Sequence, residues 1–276
     1  MGSMIPKWLW GKTIAVYDLE TDNIPTTKIY MMGVAIIIID NTGVVSTIPS
    51  KVFTYTWTPY SKGSLLQGIS LIVSCDYHAG FNSVGFDDQE VAKHLSIQLN
   101  DKHLDAMILS KIIFSKDDLF SIDASLGLDK DLWGSYSLKA FGQRLGDFKL
   151  DFHSFDEMTE EMAIYCNQDT NLTVQLLLFL LEKENFPLEA VVDIEHKAAA
   201  IIAEQSIMGF YIDIEKTRAL NTKLLTEKLD LSTQLSEIFA PKWLKDGTEK
   251  TYKKKSVVRK YLPNKHYKPL LGTPHD

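Results

Sequence analysis

The stretch Ile14-Ala-Val-Tyr-Asp-Leu-Glu-Thr21 ends a short apolar run in two carboxylates, Asp18 and Glu20, with one residue between them. In a strand, side chains alternate between faces, so Asp18 and Glu20 share a face while Leu19 turns to the core. Two carboxylates so placed repel each other. A divalent cation held between them removes the repulsion, and hard oxygen donors suit Mg²⁺ or Mn²⁺. The same pair also fits an ordinary solvated strand end, so the rest of the chain has to supply further ligands.

Downstream, Ile29–Asp40 is rich in β-branched residues, Asn41-Thr42-Gly43 is a tight-turn signal, and Val44–Tyr55 reads as the returning strand, with Pro49 and Pro59 marking an edge or its end. With a strand over Lys12–Tyr17, this predicts an antiparallel meander. Ser64–Ser74 has helical spacing, Asp76–Phe81 reads as a short strand, and residues 88–99 read as a helix with Val91, Ala92, Leu95 and Leu99 on one face. His103–Asp105 looks like another strand end before the apolar segment Ala106–Phe114. Residues 115–135 are polar and read as mostly loop, and Ser137–Leu145 as a short helix closed by Gly146. Glu160–Glu184 is the strongest helical signal, with Thr159 as its N-cap and Pro187 beyond its end. Further helices are predicted over Leu188–Met208 and from Asp213 to Phe239. Strands first, then strand and helix in alternation, place the first ~185 residues in the mixed α/β class.

The chain has 276 residues, 45% of them hydrophobic and 24% charged, an ordinary globular balance. Its net charge of −7 hides an asymmetry. Residues 242–276 carry ten Lys/Arg against Asp246, Glu249 and Asp276, a net of +7, which leaves −14 on the remainder. An acidic body with a basic tail does not suit a high-affinity duplex binder, but it suits an enzyme that recruits Mg²⁺ and holds nucleic acid through a local patch. Cys75 and Cys166 offer neither a disulfide framework nor a CxxC pair, which points to a reducing, intracellular compartment. The N-terminus lacks a signal-peptide pattern, Gly2-Ser3 reads as an expression scar, and the run Val34–Ile39 is too short to span a bilayer, so no membrane partner is expected.

Two more acidic motifs follow. In Tyr165-Cys-Asn-Gln-Asp169 the spacing of four puts Tyr165 and Asp169 on one helix face. In Asn82-Ser-Val-Gly-Phe86-Asp87 the aspartate directly precedes a predicted helix, where an N-cap is its plain structural role.

Taken together, Asp-x-Glu, then Asn-x₃-Phe-Asp about 65 residues on, then Tyr-x₃-Asp some 80 further, resemble in order and spacing the DEDDy 3′–5′ exonucleases. Three further segments, His103-Leu-Asp-Ala-Met-Ile-Leu-Ser-Lys-Ile-Ile113, Tyr136-Ser-Leu-Lys-Ala-Phe-Gly-Gln-Arg-Leu-Gly146 and Asp193-Ile-Glu-His-Lys-Ala-Ala199, together with Gly209-Phe-Tyr-Ile-Asp213, are similar to the proofreading region of phage-type family A (Pol I-like) DNA polymerases. The resemblance runs from about residue 13 to 240; palm and finger motifs are missing. It implies an RNase H-like exonuclease fold, a mixed central sheet flanked by helices, followed by a helical extension towards a polymerase thumb. The implied organisation is an extension over 1–11, an exonuclease domain over 12–187, the helical start of the thumb region over 188–240, and a basic, flexible tail over 241–276.

The resemblance also implies a site. Asp18, Glu20, Asp87 and Asp169 are the metal-holding carboxylates and Tyr165 the catalytic tyrosine. Two Mg²⁺ ions are the implied cofactors, with Mn²⁺ as a substitute. Asp18 would bridge both ions, Glu20 and Asp169 would complete the site beside the attacking water, and Asp87 would hold the second ion. Tyr165 would orient the water, since an unperturbed phenol pKa of about 10 makes a poor general base. Leu19, Asn82 and Phe86 are candidate substrate contacts. The implied partners are the 3′ end of single-stranded or frayed DNA and a polymerase domain, in cis or as a separate chain. The implied location is a bacterial host cytoplasm, if the chain is phage-encoded. The alternatives are an RNase D-like exoribonuclease sharing the carboxylate set, and a catalytically silent structural module.

Overall fold

The computed structural model describes residues 5–147 and 157–238, and the backbone of two short strands beyond them. Strands β1 (Thr13–Thr21), β2 (Ile29–Ile39) and β3 (Val45–Thr54) form the expected antiparallel meander. Strands β4 (Tyr77–Gly80) and β5 (His103–Asp105) run parallel to β1, giving a five-stranded sheet in the order β3-β2-β1-β4-β5. The expected mixed central sheet flanked by helices is therefore present, with β1 at its middle, between an antiparallel and a parallel neighbour.

Alternation along β1 divides the core. Ala15, Tyr17 and Leu19 pack with Met32 and Phe53 under α1 (Leu65–Ser74) and α2 (Asp87–Leu95). Ile14 and Val16 face the opposite layer, where α3 (Ala106–Ile113), α5 (Leu138–Leu145) and α6 (Glu160–Leu181) supply Leu109, Phe141, Leu172 and Leu176. Ser64 and Gln67 close a capping box on α1, Ser137 caps α5 with Gly146 in the left-handed conformation beyond it, and Thr159 caps α6, each as its residue type favours.

Several sequence expectations need correction. Helix α2 stops at Leu95, because Ser96 takes a left-handed conformation (φ 55°), so Leu99 is not on it. Helix α6 ends at Leu181, before Glu184. Residues 115–135 are not mostly loop: α4 (Lys116–Leu126) forms there, started by a Ser115/Asp118 capping box and ended by Gly127. Its weak apolar pattern hides a polar anchor, since buried Asp123 receives a paired guanidinium from Arg144 of α5 at 2.7 and 2.9 Å and the Gly134 N–H at 2.8 Å. The first eleven residues are not all an extension: Ile5 and Leu9 are buried in the main core, and the Trp10 indole donates to the Ile5 carbonyl.

Helix α7 (Glu189–Met208) completes this first unit, which ends at Gly209. The second unit, Phe210–Asp276, contains α8 (Ile214–Ile238), whose first turn is capped by Asp213, and the antiparallel pair β6 (Thr251–Lys254) and β7 (Val257–Lys260). Apart from those two strands, the basic tail lies outside the described residues. No described helix is long and apolar enough to cross a membrane.

The Asp123–Arg144 pair is almost fully buried, with side chains 0% and 4% exposed. Arg144→Ala strands the Asp123 charge and is expected to cost ~3–5 kcal/mol, against a small change for a paired Asp123→Leu/Arg144→Met replacement; urea unfolding of the three proteins measures both.

Candidate active site

The site forms where β1 outruns β4. Pairing between them covers only Ile14–Val16 with Tyr77–Ala79, so the last residues of β1 project past the carboxyl end of β4, where open α/β sheets commonly bind ligands. Asp18 and Glu20 emerge there on the α6 side. The Leu19 N–H, freed of a β4 partner, donates to Asp87 Oδ1 at 3.1 Å. Asp87 is thus not the N-cap of α2: Phe86 holds that position, and the Asp87 side chain turns to β1 instead.

Helix α6 supplies the other two groups. Asp169 is buried (3% exposed), and Tyr165 is half-buried one turn before it. Two features bring this helix unusually close to the sheet. Gly33 of β2 sits opposite Asp18, and a Cβ there would overlap the Thr170 hydroxyl and lie 3.2 Å from the Cys166 carbonyl oxygen. The Cys166 thiol then points at the Asp18 carbonyl oxygen from 3.9 Å. Burial pushes that thiol well up from its ordinary pKa, and Glu20, Asp18 and Asp169 push it further, so three carboxylates surround it.

Asp87 completes the set electrostatically. Burial raises its pKa well above the usual carboxylate range, and Asp18 is the largest contributor among its charged neighbours. A buried carboxyl pushed upwards by another is what a divalent cation would relieve. Ligand atoms of Asp18, Glu20 and Cys166 can come within 4.8 Å of one another. The other donors there are carboxylate oxygens, which fit hard ions such as Mg²⁺ or Mn²⁺.

The three candidate substrate contacts fare unequally. Leu19 is buried in the second core cluster (6% exposed), held there by the strand alternation, and offers no face for a base to stack on. Phe86 is half-buried beside Asp87. Asn82 is exposed, with φ 60°, on a loop fixed by Asp105: its carboxylate accepts the N–H groups of Asn82 and Val84 at 3.1 and 3.2 Å, while also capping α3. Sequence reasoning missed the roles of Gly33, Cys166 and Asp105. A glycine inside the β-branched run of β2 was the one available signal.

No family model matches the chain. Its sequence is 31% identical over 215 residues to the DNA-directed DNA polymerase of Escherichia phage T7, covering 61% of this chain and 30% of that protein. To the DNA-directed DNA polymerase of Enterobacteria phage T3 it is 30% identical, with the same coverage. The resemblance to phage DNA polymerases is borne out. The chain spans about a third of the length of these polymerase relatives. Among solved structures, Brucella melitensis NrnC with bound Mg²⁺ matches with a TM-score of 0.42 at 13% identity, covering 76% of this chain and 90% of that one. The family B DNA polymerase of Pyrobaculum calidifontis matches with a TM-score of 0.34 at 15% identity, covering 72% and 29%.

Gly33→Val is expected to force α6 off β1, costing about 1–3 kcal/mol and weakening Mg²⁺ binding, both read from thermal melts with and without Mg²⁺. Asp87→Asn should act in opposite directions on the same two readouts. The folded-state pKa of Asp87 is raised, so the metal-free fold loses stability as pH rises through that value, and the amide removes the loss. At neutral pH the metal-free variant should melt higher, by about 2–4 °C per kcal/mol relieved, while its Mg²⁺-induced rise shrinks.

Proposed function

We propose that this chain is a 3′–5′ exonuclease module that hydrolyses the terminal phosphodiester of a DNA strand and releases 5′-mononucleotides. The observation that carries the reading is the convergence of Asp18, Glu20, Asp87 and Asp169, from β1, α2 and α6, at the carboxyl end of the parallel strands, with Asp87 held at raised pKa. Such repulsion costs stability in a fold that has no use for it, which argues against a silent module. DNA, and not RNA, is favoured as substrate because the relatives in sequence are DNA-directed DNA polymerases.

In this reading Asp18, Glu20 and Asp169 would hold one divalent ion, and Asp87, with Asp18, would help to hold a second. When bound, two such ions supply Lewis-acid activation of a water and charge stabilisation of the leaving 3′-oxygen. Tyr165 donates or accepts a hydrogen bond that lines the water up opposite the scissile P–O bond; it moves no proton itself. Water adds to phosphorus, the P–O3′ bond breaks, and the 3′-oxygen takes up a proton to leave a new 3′-hydroxyl. Asn82 and Phe86 flank the approach of the strand. The half-buried site favours single-stranded or frayed ends, whose bases are free to leave the stack.

We further propose the organisation that the resemblance implies: the exonuclease domain through residue 187, helices over 188–240 leading towards a polymerase thumb, and a basic tail. The polymerase partner is in cis or a separate chain, and the activity serves proofreading.

Digestion of 3′-labelled single-stranded DNA and matched RNA, each with a free or blocked 3′ end, tests the proposal. Free-ended DNA should yield mononucleotides only with Mg²⁺ or Mn²⁺ present, and Asp18→Ala should lower the rate by about a thousandfold or more. Release from RNA alone would make the chain a ribonuclease, and an undiminished rate in Asp18→Ala would remove the mechanism.

A further inference from the structure

Behind Asp87, on the other side of the α2 N-terminus, lies a second cluster that the proposed chemistry does not use. His78 of β4, Asp88 of α2 and His103 of β5 bring one ligand atom each within 4.8 Å of one another. Asp88 Oδ2 lies 2.9 Å from His103 Nδ1 and 3.6 Å from His78 Nε2, and the two imidazole rings are 4.2 Å apart. Neither nitrogen of His78 has a hydrogen-bond partner, although the residue is completely buried. A buried imidazole of this kind costs stability unless something occupies its lone pair.

We propose that His78, Asp88 and His103 form a binding site for a transition-metal ion, of which Zn²⁺ fits best. Two imidazoles and one carboxylate are a borderline donor set that suits Zn²⁺ better than Mg²⁺. Ligand bonds of ~2.0–2.1 Å in a tetrahedron set ligand-to-ligand separations of about 3.3 Å, midway between the two separations that Asp88 makes. The surroundings are those of a built site. His103 Nε2 is 2.8 Å from the Ser83 hydroxyl, which leaves Nδ1 for the ion, and the Tyr17 hydroxyl donates to Asp88 Oδ1, which leaves Oδ2. Burial holds His78 below its ordinary pKa, in the neutral form that ligates. A cleft of about 240 Å³ reaches Asp88 and His103 and admits a water as fourth ligand.

The bound ion ties β4, β5 and the first turn of α2 together, one residue from Asp87. It uses none of the four carboxylates of the proposed exonuclease site, so it stands or falls independently of that reading.

The test is a Co²⁺ titration of the chelator-treated full chain, with excess Mg²⁺ present to occupy the carboxylate-only sites. One equivalent should bind with the intense visible absorption of four-coordinate cobalt, be displaced by Zn²⁺, and in either form raise the melting temperature. His78→Leu should abolish the band and the thermal rise, while its metal-free melting temperature stays equal or increases, because the imidazole has no hydrogen bond to lose. If His78→Leu does not fold, Asp88→Asn takes its place: its amide oxygen still accepts from Tyr17 and its NH2 can donate to His103 Nδ1 in the other tautomer, and the band and the thermal rise should again be lost. Only the weak absorption of six-coordinate cobalt in the unmodified chain, or a full band in the folded variant, overturns the site.

Discussion

The close approach of α6 to β1 and β2 at Gly33 is the contact on which the candidate site depends. Two of the four carboxylates are on β1 and one is on α6, and they can share an ion only if helix and sheet are nearer than side chains normally permit. With hydrogen in place of a methyl at Gly33, the Thr170 hydroxyl and the Cys166 backbone fill the space where a Cβ would sit. Thr170 in turn donates to the Cys166 carbonyl, one turn back along the helix, at 2.8 Å, so its hydroxyl hydrogen bond is satisfied within α6. A small residue in the sheet and two compact ones on the helix thus determine the distance between charges elsewhere.

That compression has an electrostatic cost, which the rest of the unit is built to hold. Asp87 is anchored by the Leu19 N–H, and the loop before it by the Asp105 carboxylate. Asp105 is itself fixed from behind. Its N–H donates to His196 Nε2 at 2.7 Å, and His196 Nδ1 is 2.7 Å from the Val192 carbonyl, so α7 reaches through to the loop that carries Asn82. Burial, with His103 beside it, lowers the His196 pKa to about 4, so it stays a neutral acceptor at physiological pH. The His196 segment, noticed in the sequence for its resemblance alone, therefore has a structural duty within the unit.

Much of this was legible in the sequence. Alternation along Ile14–Thr21, β-branched residues over Ile29–Ile39 and the turn at Asn41–Gly43 led to the meander, and spacing alone paired Tyr165 with Asp169. What was not legible has a common cause. Helix α4 lacks an apolar stripe because it is anchored by a buried ion pair to a residue 21 positions away, and no local period reports such a partner. Asp87 looked like a helix cap because a carboxylate at a helix start is usually one; its real acceptor duty is to an N–H 68 residues earlier. Leu19, read from its neighbours, was a substrate contact, but strand alternation had already committed it to the core.

Asp87 and Asp88 show how far one local choice reaches. Both are in the first turn of α2, where negative charge is favoured by the helix dipole whatever else it does. Consecutive helical residues point about 100° apart. One carboxylate therefore enters the β1–α6 side with its pKa raised, while the next turns to Tyr17 and the two histidines, and its pKa is lowered against the burial that opposes it, chiefly by His103 beside it. Neighbouring aspartates are thus driven in opposite directions by what each faces. The first turn of α2 joins two polar clusters that the sheet keeps apart, and rigidity at Asp88 is transmitted to Asp87 through a single peptide unit.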